Sequence, residues 1–165
     1  MKTLMNIMKF KTSLKESILS DMEDILNNGE ENIKEVIQNF LEQNYTSVFS
    51  FEISKKPFMG KYRVSGKGIS VKNKDIEYLT NDLFEFDEVK LFFNCMNCKN
   101  LKSLKGLPIK LNGSLNISGC YNLESLEYIP KIVVGDIILS KNDNKKFTKD
   151  DIKKYVKKCW DVEFF

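Results

Sequence analysis

The sequence has no histidine among its 165 residues, and it has only one tryptophan and four cysteines. Histidine is the commonest general base and the commonest metal ligand, and it activates many serine and cysteine nucleophiles. Its absence removes these options together. We therefore rank an enzyme as the least favoured class, and we expect no cofactor and no bound metal.

Long apolar runs are also absent, since no stretch reaches the roughly 18 residues that a membrane-spanning helix needs. Asn6 and Lys9 interrupt the apolar residues at the start, and no small-residue cleavage site follows, so we expect no signal peptide. Cysteines without a secretion signal are typical of reduced thiols in a cytoplasm. These features predict a cytoplasmic protein without a membrane partner.

The net charge of +3 is small but unevenly distributed. Residues 1–52 carry a net charge of −4, residues 53–140 carry +4, and residues 141–165 carry +3. Such a distribution can steer a charged partner. It falls short of the positive field of a dedicated nucleic-acid-binding protein.

A repeat of 22 residues dominates the second half of the chain, where segments starting at Asn97 and Gly119 align without a gap. A fixed period of this length predicts stacked units that bury their apolar sides against each other. Backward extension of the register reaches Phe93 and then Val71. The matched positions are Cys98 with Cys120, Leu101 with Leu123, Leu104 with Leu126, Pro108 with Pro130, Gly113 with Gly135 and Leu115 with Ile137.

Each repeat unit is expected to contribute one short parallel strand. The predicted strands are 69–71, 89–95, 114–117 and 136–139. The predicted core of the stack consists of the apolar residues that recur in register: Leu79, Val89, Phe93, Leu101, Leu104, Leu115, Ile117, Leu123, Leu126, Ile137 and Leu139.

Two helices are predicted before the repeat. A capping box at Ser13 opens the first, and the glycine of the segment 27–29 ends it. Asn32 caps the second, which ends near Asn44. A short link between helices favours an antiparallel hairpin.

Between these helices and the repeat, alternating apolar residues predict a strand around 49–53 and a second at 61–65. After the repeat, Thr148 and Asp151 form a capping box that predicts a C-terminal helix. We expect its face of Ile152, Tyr155, Val156 and Cys159 to cover the end of the stack, with Trp160, Phe164 and Phe165 folded back onto it.

These elements predict an α+β chain in four segments. A helical segment covers 1–45, a β-hairpin or connector covers 46–72, the repeat stack covers 73–147, and a cap helix with a tail covers 148–165.

The repeat itself resembles a leucine-rich repeat, with apolar residues at Leu115, Ile117, Leu123 and Leu126 and with Cys120 between them. Its residue pattern is similar to that of short leucine-rich repeat proteins of large tailed bacteriophages. This resemblance implies a protein-recognition scaffold, located in the host cytoplasm and acting on a host protein. It implies no catalytic residue.

Cys95 and Cys98 stand at a spacing that suits zinc or a redox pair. The repeat offers a simpler structural interpretation, which we favour. Cys98 shares its register with Cys120, at the turn position of the repeat, and Cys95 shares its register with core strand residues. Zinc and redox chemistry remain the alternatives.

The leading hypothesis is a non-enzymatic protein-binding module, an inhibitor of a host protease or defence enzyme that acts by steric blockade or conformational locking. Two surfaces are candidates for contact. One is the solvent side of the strands, and the other is an acidic helix face; together they comprise Ser114, Asn116, Asp136, Ile138, Asp21 and Asp24.

Two alternatives stay open. A nucleic-acid-binding accessory protein would use Lys61, Arg63 and the lysines of the C-terminal helix, with an aromatic side chain of the hairpin stacking on bases. An assembly subunit would self-associate.

Overall fold

The structure is a computed structural model that describes residues 28–47, 50–140 and 147–164. The chain divides into two units, Met1–Val36 and Ile37–Phe165. In the first unit, residues 28–36 are helical, and in the second unit residues 37–44 are helical; we call the helical residues 28–44 α1. The remaining elements all belong to the second unit.

The predicted start of this helix was wrong, whereas its predicted end is confirmed. Residues 28–31 are already helical, ahead of the expected cap at Asn32. A single glycine costs a helix only about 1 kcal/mol, so Gly29 does not have to end one. At the other end, the Asn44 side-chain amide donates a hydrogen bond to the Phe40 carbonyl at 2.9 Å. The helix predicted from Ser13 lies outside the described residues.

The described residues contain eight strands: β1 Tyr45–Ser47, β2 Glu52–Ile53, β3 Tyr62–Val71, β4 Phe84–Asn94, β5 Lys110–Leu111, β6 Ser114–Asn116, β7 Ile137–Leu139 and β8 Val162–Phe164. They form one sheet in the order β1-β3-β4-β6-β7-β8, with β2 beside β3 and β5 beside β4. The pairs β3–β4, β4–β5, β4–β6, β6–β7 and β7–β8 are parallel, while β1 and β2 run antiparallel to β3.

The 22-residue register of the later strands is confirmed by their pairing. Phe93 of β4 lies beside Leu115 of β6, and Leu115 lies beside Ile137 of β7. A further parallel bridge joins Leu111 to Val133. Consecutive repeat units therefore lie side by side, and their apolar residues enter one shared interior.

The first layer departs from the predicted register. Ile69, and not Val71, lies beside Phe93, because the pairing of β3 with β4 shifts on either side of Gly66. These shifts are β-bulges, for which glycine is well suited. They also let one strand, β3, run without a break through the region where two separate strands were expected.

All eleven residues predicted for the core are buried. Four aromatic rings extend this core within the second unit. Phe86 packs edge-on against Phe84 and Phe93 with ring centroids 5.4 and 5.3 Å apart, and Tyr45 packs edge-on against Phe86 at 5.3 Å. The Tyr45 hydroxyl donates a hydrogen bond to the Leu79 carbonyl. Burial of a hydroxyl is costly unless it is paired in this way.

The C-terminal helix α2 covers Lys149–Tyr155 and has the predicted capping box, in which Thr148 and Asp151 bind each other's backbone N–H groups. Ile152 is buried, but the Tyr155 side chain is 43% exposed and does not belong to an apolar face. The expectation that Trp160 packs onto the stack is also wrong, since it is 75% exposed. The following residues instead form β8, which extends the sheet beyond β7.

The architecture is thus α+β, with a helix near the start of the described chain and a mostly parallel sheet of stacked strands. Among the described residues, no helix has both the length and the apolar character that a membrane crossing requires.

Candidate binding site

A cleft of about 640 Å³ opens beside the turns that precede β5 and β7. This volume lies within the range of about 300–1,000 Å³ that is typical of ligand sites. Its apolar lining comes mainly from two turns, with Leu107, Pro108, Ile109, Ile129, Pro130 and Ile132. Four lysines also line it: Lys61, Lys105, Lys110 and Lys131. We call this feature the lysine-rimmed cleft.

The repeat builds the two turns in the same way. Gly106 has a φ of 99° and Tyr128, one period later, has a φ of 70°, so both turns pass through the left-handed region at the same position. The residue that follows each left-handed position donates a backbone hydrogen bond to the carbonyl three residues before it. The distance is 3.0 Å from the Leu107 N–H and 3.1 Å from the Ile129 N–H. The turns consequently present their apolar residues side by side.

Two of the apolar side chains at the cleft face water. Ile109 is 61% exposed and Ile132 is 45% exposed, whereas Leu107 and Ile129 beneath them are buried. Exposed apolar residues that occur singly need no explanation, but a contiguous concave group rimmed by polar residues marks an interaction site. The cleft has this character.

The charge at the cleft is predominantly positive. Lys110 bonds to the Glu88 carboxylate at 3.0 Å, and this hydrogen bond holds the pKa of Glu88 below its usual value. Within the ranges that the structure describes, Lys105 and Lys131 form no ion pair with a carboxylate. Among the described residues, Glu85 provides the only carboxylate that lines the cleft itself.

Glu85 also pairs with Lys61 and Arg63, the two cations proposed for nucleic-acid contact. Its carboxylate forms an ion pair with Lys61 Nζ at 3.3 Å and accepts a hydrogen bond from Arg63 Nη1 at 2.8 Å. The Arg63 guanidinium additionally lies 5.2 Å from the centre of the Phe58 ring. Both cations are therefore partly neutralised by a neighbour, which weakens their attraction for phosphate.

The residues predicted on the solvent side of the strands do lie together. Asn116 and Ile138 are paired neighbours in the sheet, Ser114 begins β6, and Asp136 directly precedes β7. All four are half-buried. This set defines the outer strand face. The other two predicted contact residues, Asp21 and Asp24, lie outside the described residues.

Two residues of the outer strand face are engaged by the backbone. Ser114 Oγ accepts a hydrogen bond from the Asp136 N–H at 3.1 Å. Asn116 Oδ1 accepts bonds from the Ser118 N–H at 3.0 Å and from Ser118 Oγ at 2.7 Å. Their polar groups hold neighbouring strands and turns, so they are less available to a partner than the cleft side chains.

The cleft itself was missed from the sequence, although a signal for it exists. Pro108 and Pro130 were matched as repeat positions and were interpreted only as part of the scaffold. Ile109 and Ile132 stand one position apart in the two repeat units, so a strict 22-residue period does not pair them. The recurrence of exposed isoleucine beside lysine in consecutive turns was the available signal.

Three of the four cysteines lie in the core. Cys95, Cys98 and Cys120 are fully buried, and Cys120 Sγ donates to the Cys95 carbonyl at 3.2 Å. Burial raises the pKa of the Cys120 thiol to about 12 and that of Cys95 well above its ordinary value. Protonated, buried thiols of this kind are inert. In the described ranges, no group of three or more potential ligand residues is placed to hold a metal ion.

Comparison with known proteins adds no relative. No protein-family model matches the chain, and neither the curated proteins nor the solved structures include a match.

Proposed function

We propose that this chain is a non-enzymatic protein-binding module, a short leucine-rich repeat scaffold whose lysine-rimmed cleft receives part of a partner protein. The observation that carries the proposal is the cleft itself. It combines exposed isoleucines, a concave surface and a basic rim, and interaction sites are built from such combinations.

The scaffold part of the proposal is supported by the repeated geometry. The strands of successive units pair in parallel at a spacing of 22 residues. Asn97 and Gly119, one period apart, both have left-handed backbone conformations with φ values of 62° and 72°. Buried Cys120 at the turn bonds to the backbone of the preceding unit. These are features that the resemblance to leucine-rich repeats leads one to expect.

The resemblance to phage proteins extends the proposal to a host protein as the partner. Occupation of the cleft by a mobile or active-site segment of that protein would inhibit it by steric blockade or by locking its conformation. The lack of histidine and the protonated state of the buried thiols agree with a role that requires no chemistry from this chain.

An affinity experiment with matched variants tests the proposal. The bait is the full chain, and three variants are compared with it in host lysate at moderate salt. The first variant carries Ile109→Asp and Ile132→Asp in the cleft, and the second carries Ile138→Asp on the outer strand face. The third carries Leu91→Asp, at an apolar side chain that is 51% exposed and lies outside the cleft lining.

We expect one stoichiometric partner with the unchanged bait and with Leu91→Asp, and at least a tenfold lower recovery with the cleft variant. Circular dichroism would establish that each bait is folded. Loss of the partner with Ile138→Asp alone would transfer the binding site to the outer strand face. Recovery of no stoichiometric protein by the unchanged bait would refute the proposed function.

A further inference from the structure

We infer that the lysine-rimmed cleft recognises an extended acidic and apolar peptide segment, in which carboxylates alternate with large aliphatic side chains. This inference rests on the proposed function and names the chemistry of its partner. It is carried by the juxtaposition of exposed isoleucines with lysines that come from successive layers of the stack.

The apolar part of the cleft selects aliphatic side chains. Ile109 and Ile132 are the exposed aliphatic residues of its lining, beside the exposed ring of Tyr128. The two prolines next to the isoleucines are buried and cannot donate a backbone hydrogen bond. Such a surface offers a partner contact area but few polar groups. Leucine or isoleucine side chains of a partner would remove water from both isoleucines.

The basic rim selects carboxylates. Lys105 and Lys131 form no ion pair with any carboxylate in the described part of the chain, and they lie in consecutive units of the repeat. The other two lysines are already paired, Lys61 with Glu85 and Lys110 with Glu88. A partner with several carboxylates would complement this field, whereas a basic partner would be repelled by it.

The spacing of the lysines favours an extended chain over a ligand with one charged head. Lys61 precedes β3, Lys105 lies in the turn before β5, Lys110 begins β5, and Lys131 lies in the turn before β7. These positions span three strand-to-strand steps, or about 14 Å at the usual spacing of neighbouring strands. A single head group reaches one end of this row. Alternate side chains of an extended peptide recur about every 7 Å and can follow it.

Fluorescence anisotropy with defined probes tests the inference. The acidic probe is a labelled ten-residue peptide of alternating glutamate and leucine, and the basic probe has lysine in place of each glutamate. The protein variants are Lys105→Glu with Lys131→Glu in the cleft, and Lys90→Glu as the matched control. Lys90 is exposed on β4 and is not part of the cleft lining.

We expect the acidic probe to bind the unchanged protein, and its affinity to fall as salt rises because exposed charge pairs are screened. The double cleft variant should bind this probe about tenfold more weakly, and it should gain affinity for the basic probe. Lys90→Glu should change neither affinity by more than twofold. The gain for the basic probe is decisive, because a variant that merely loses structure would not acquire it.

Several results would overturn the inference. Equal affinity for the two probes would remove the selection by charge. An unchanged affinity of the double cleft variant would place binding elsewhere, and tighter binding of dodecanoate than of the acidic peptide would identify a small amphiphile as the occupant. If the acidic probe fails while the affinity experiment still recovers a partner through Ile109 and Ile132, the segment chemistry is wrong and the proposed function stands.

Discussion

Replacement of Gly113 by alanine should separate two strands of the stack. An added Cβ at this position would lie 1.5 Å from the Leu91 carbonyl oxygen and 2.2 Å from its carbon. Both atoms belong to the backbone of β4, so no side chain can rotate away. Ordinary contact of a Cβ begins at 3.4 Å, and relief therefore requires the strands to move apart by nearly 2 Å.

The energetic cost follows from this displacement. Overpacking of a well-packed interior costs about 1–3 kcal/mol. Separation also stretches the backbone hydrogen bond from the Asn112 N–H to the Val89 carbonyl of β4, which is worth about 1 kcal/mol. We expect Gly113→Ala to lower the free energy of unfolding by about 3 kcal/mol or more. For a chain of this size the midpoint temperature should fall by at least about 6 °C.

Two further glycines provide a graded comparison by urea denaturation. Gly135→Ala should cost less, because the nearest atom is the Ser114 hydroxyl at 2.5 Å and the nearest backbone atom is 2.8 Å away. Gly29→Ala meets nothing within 4 Å in a helical segment and should stabilise by about 0.5–1 kcal/mol. If Gly113→Ala unfolds at the same urea concentration as the unchanged protein, the close parallel approach at Leu91 is wrong.

The buried thiols and the C-terminal cap give three further predictions. Disulfide-exchange labelling at pH 8 should modify only the half-buried Cys159 in the folded protein and all four cysteines in urea, and rapid labelling of Cys95 would contradict its burial. Because the Cys120 pKa is raised to about 12, the unfolded chain releases a proton that the folded chain keeps, and the free energy of unfolding should fall between about pH 9 and 12. Cys120→Ala should reduce that fall in urea titrations, and an identical pH dependence would refute the assignment. Thr148→Ala should cost about 1 kcal/mol through loss of the cap on α2, as measured by urea denaturation, while Lys157→Ala, at an exposed side chain, serves as the neutral comparison.

The parts of the fold that recur in the sequence were predictable, because each repeated apolar position reports the same environment. Leu101, Leu115 and Ile137 were assigned to the core from their spacing, and they are buried. The predicted pairing register was wrong at the glycine-rich middle of β3, where the spacing between paired residues departs from 22. A one-period rule contains no information about β-bulges, which depend on backbone geometry.

The site was less predictable than the scaffold. A binding surface depends on which side chains the turns leave exposed, and periodicity describes only which ones they bury. The sequence around Ile109 and Lys110 does not distinguish this turn from other turns that follow a proline. Only the stacking of two such turns brings Ile132 and Lys131 beside them. The strand β8 was missed for a related reason, since it joins the sheet at a spacing of 25 residues from β7 and lies outside the repeat.

The matched left-handed turns have a consequence for how this chain can change in length. Asn97 and Gly119 adopt the same backbone conformation one period apart, and so do Gly106 and Tyr128. Excision or duplication of residues 98–119 would join ends of equal geometry and would leave every remaining rung with a neighbour of the expected type. Whole repeat units can therefore be removed or added, whereas insertion of a partial unit would put the strands that follow it out of register.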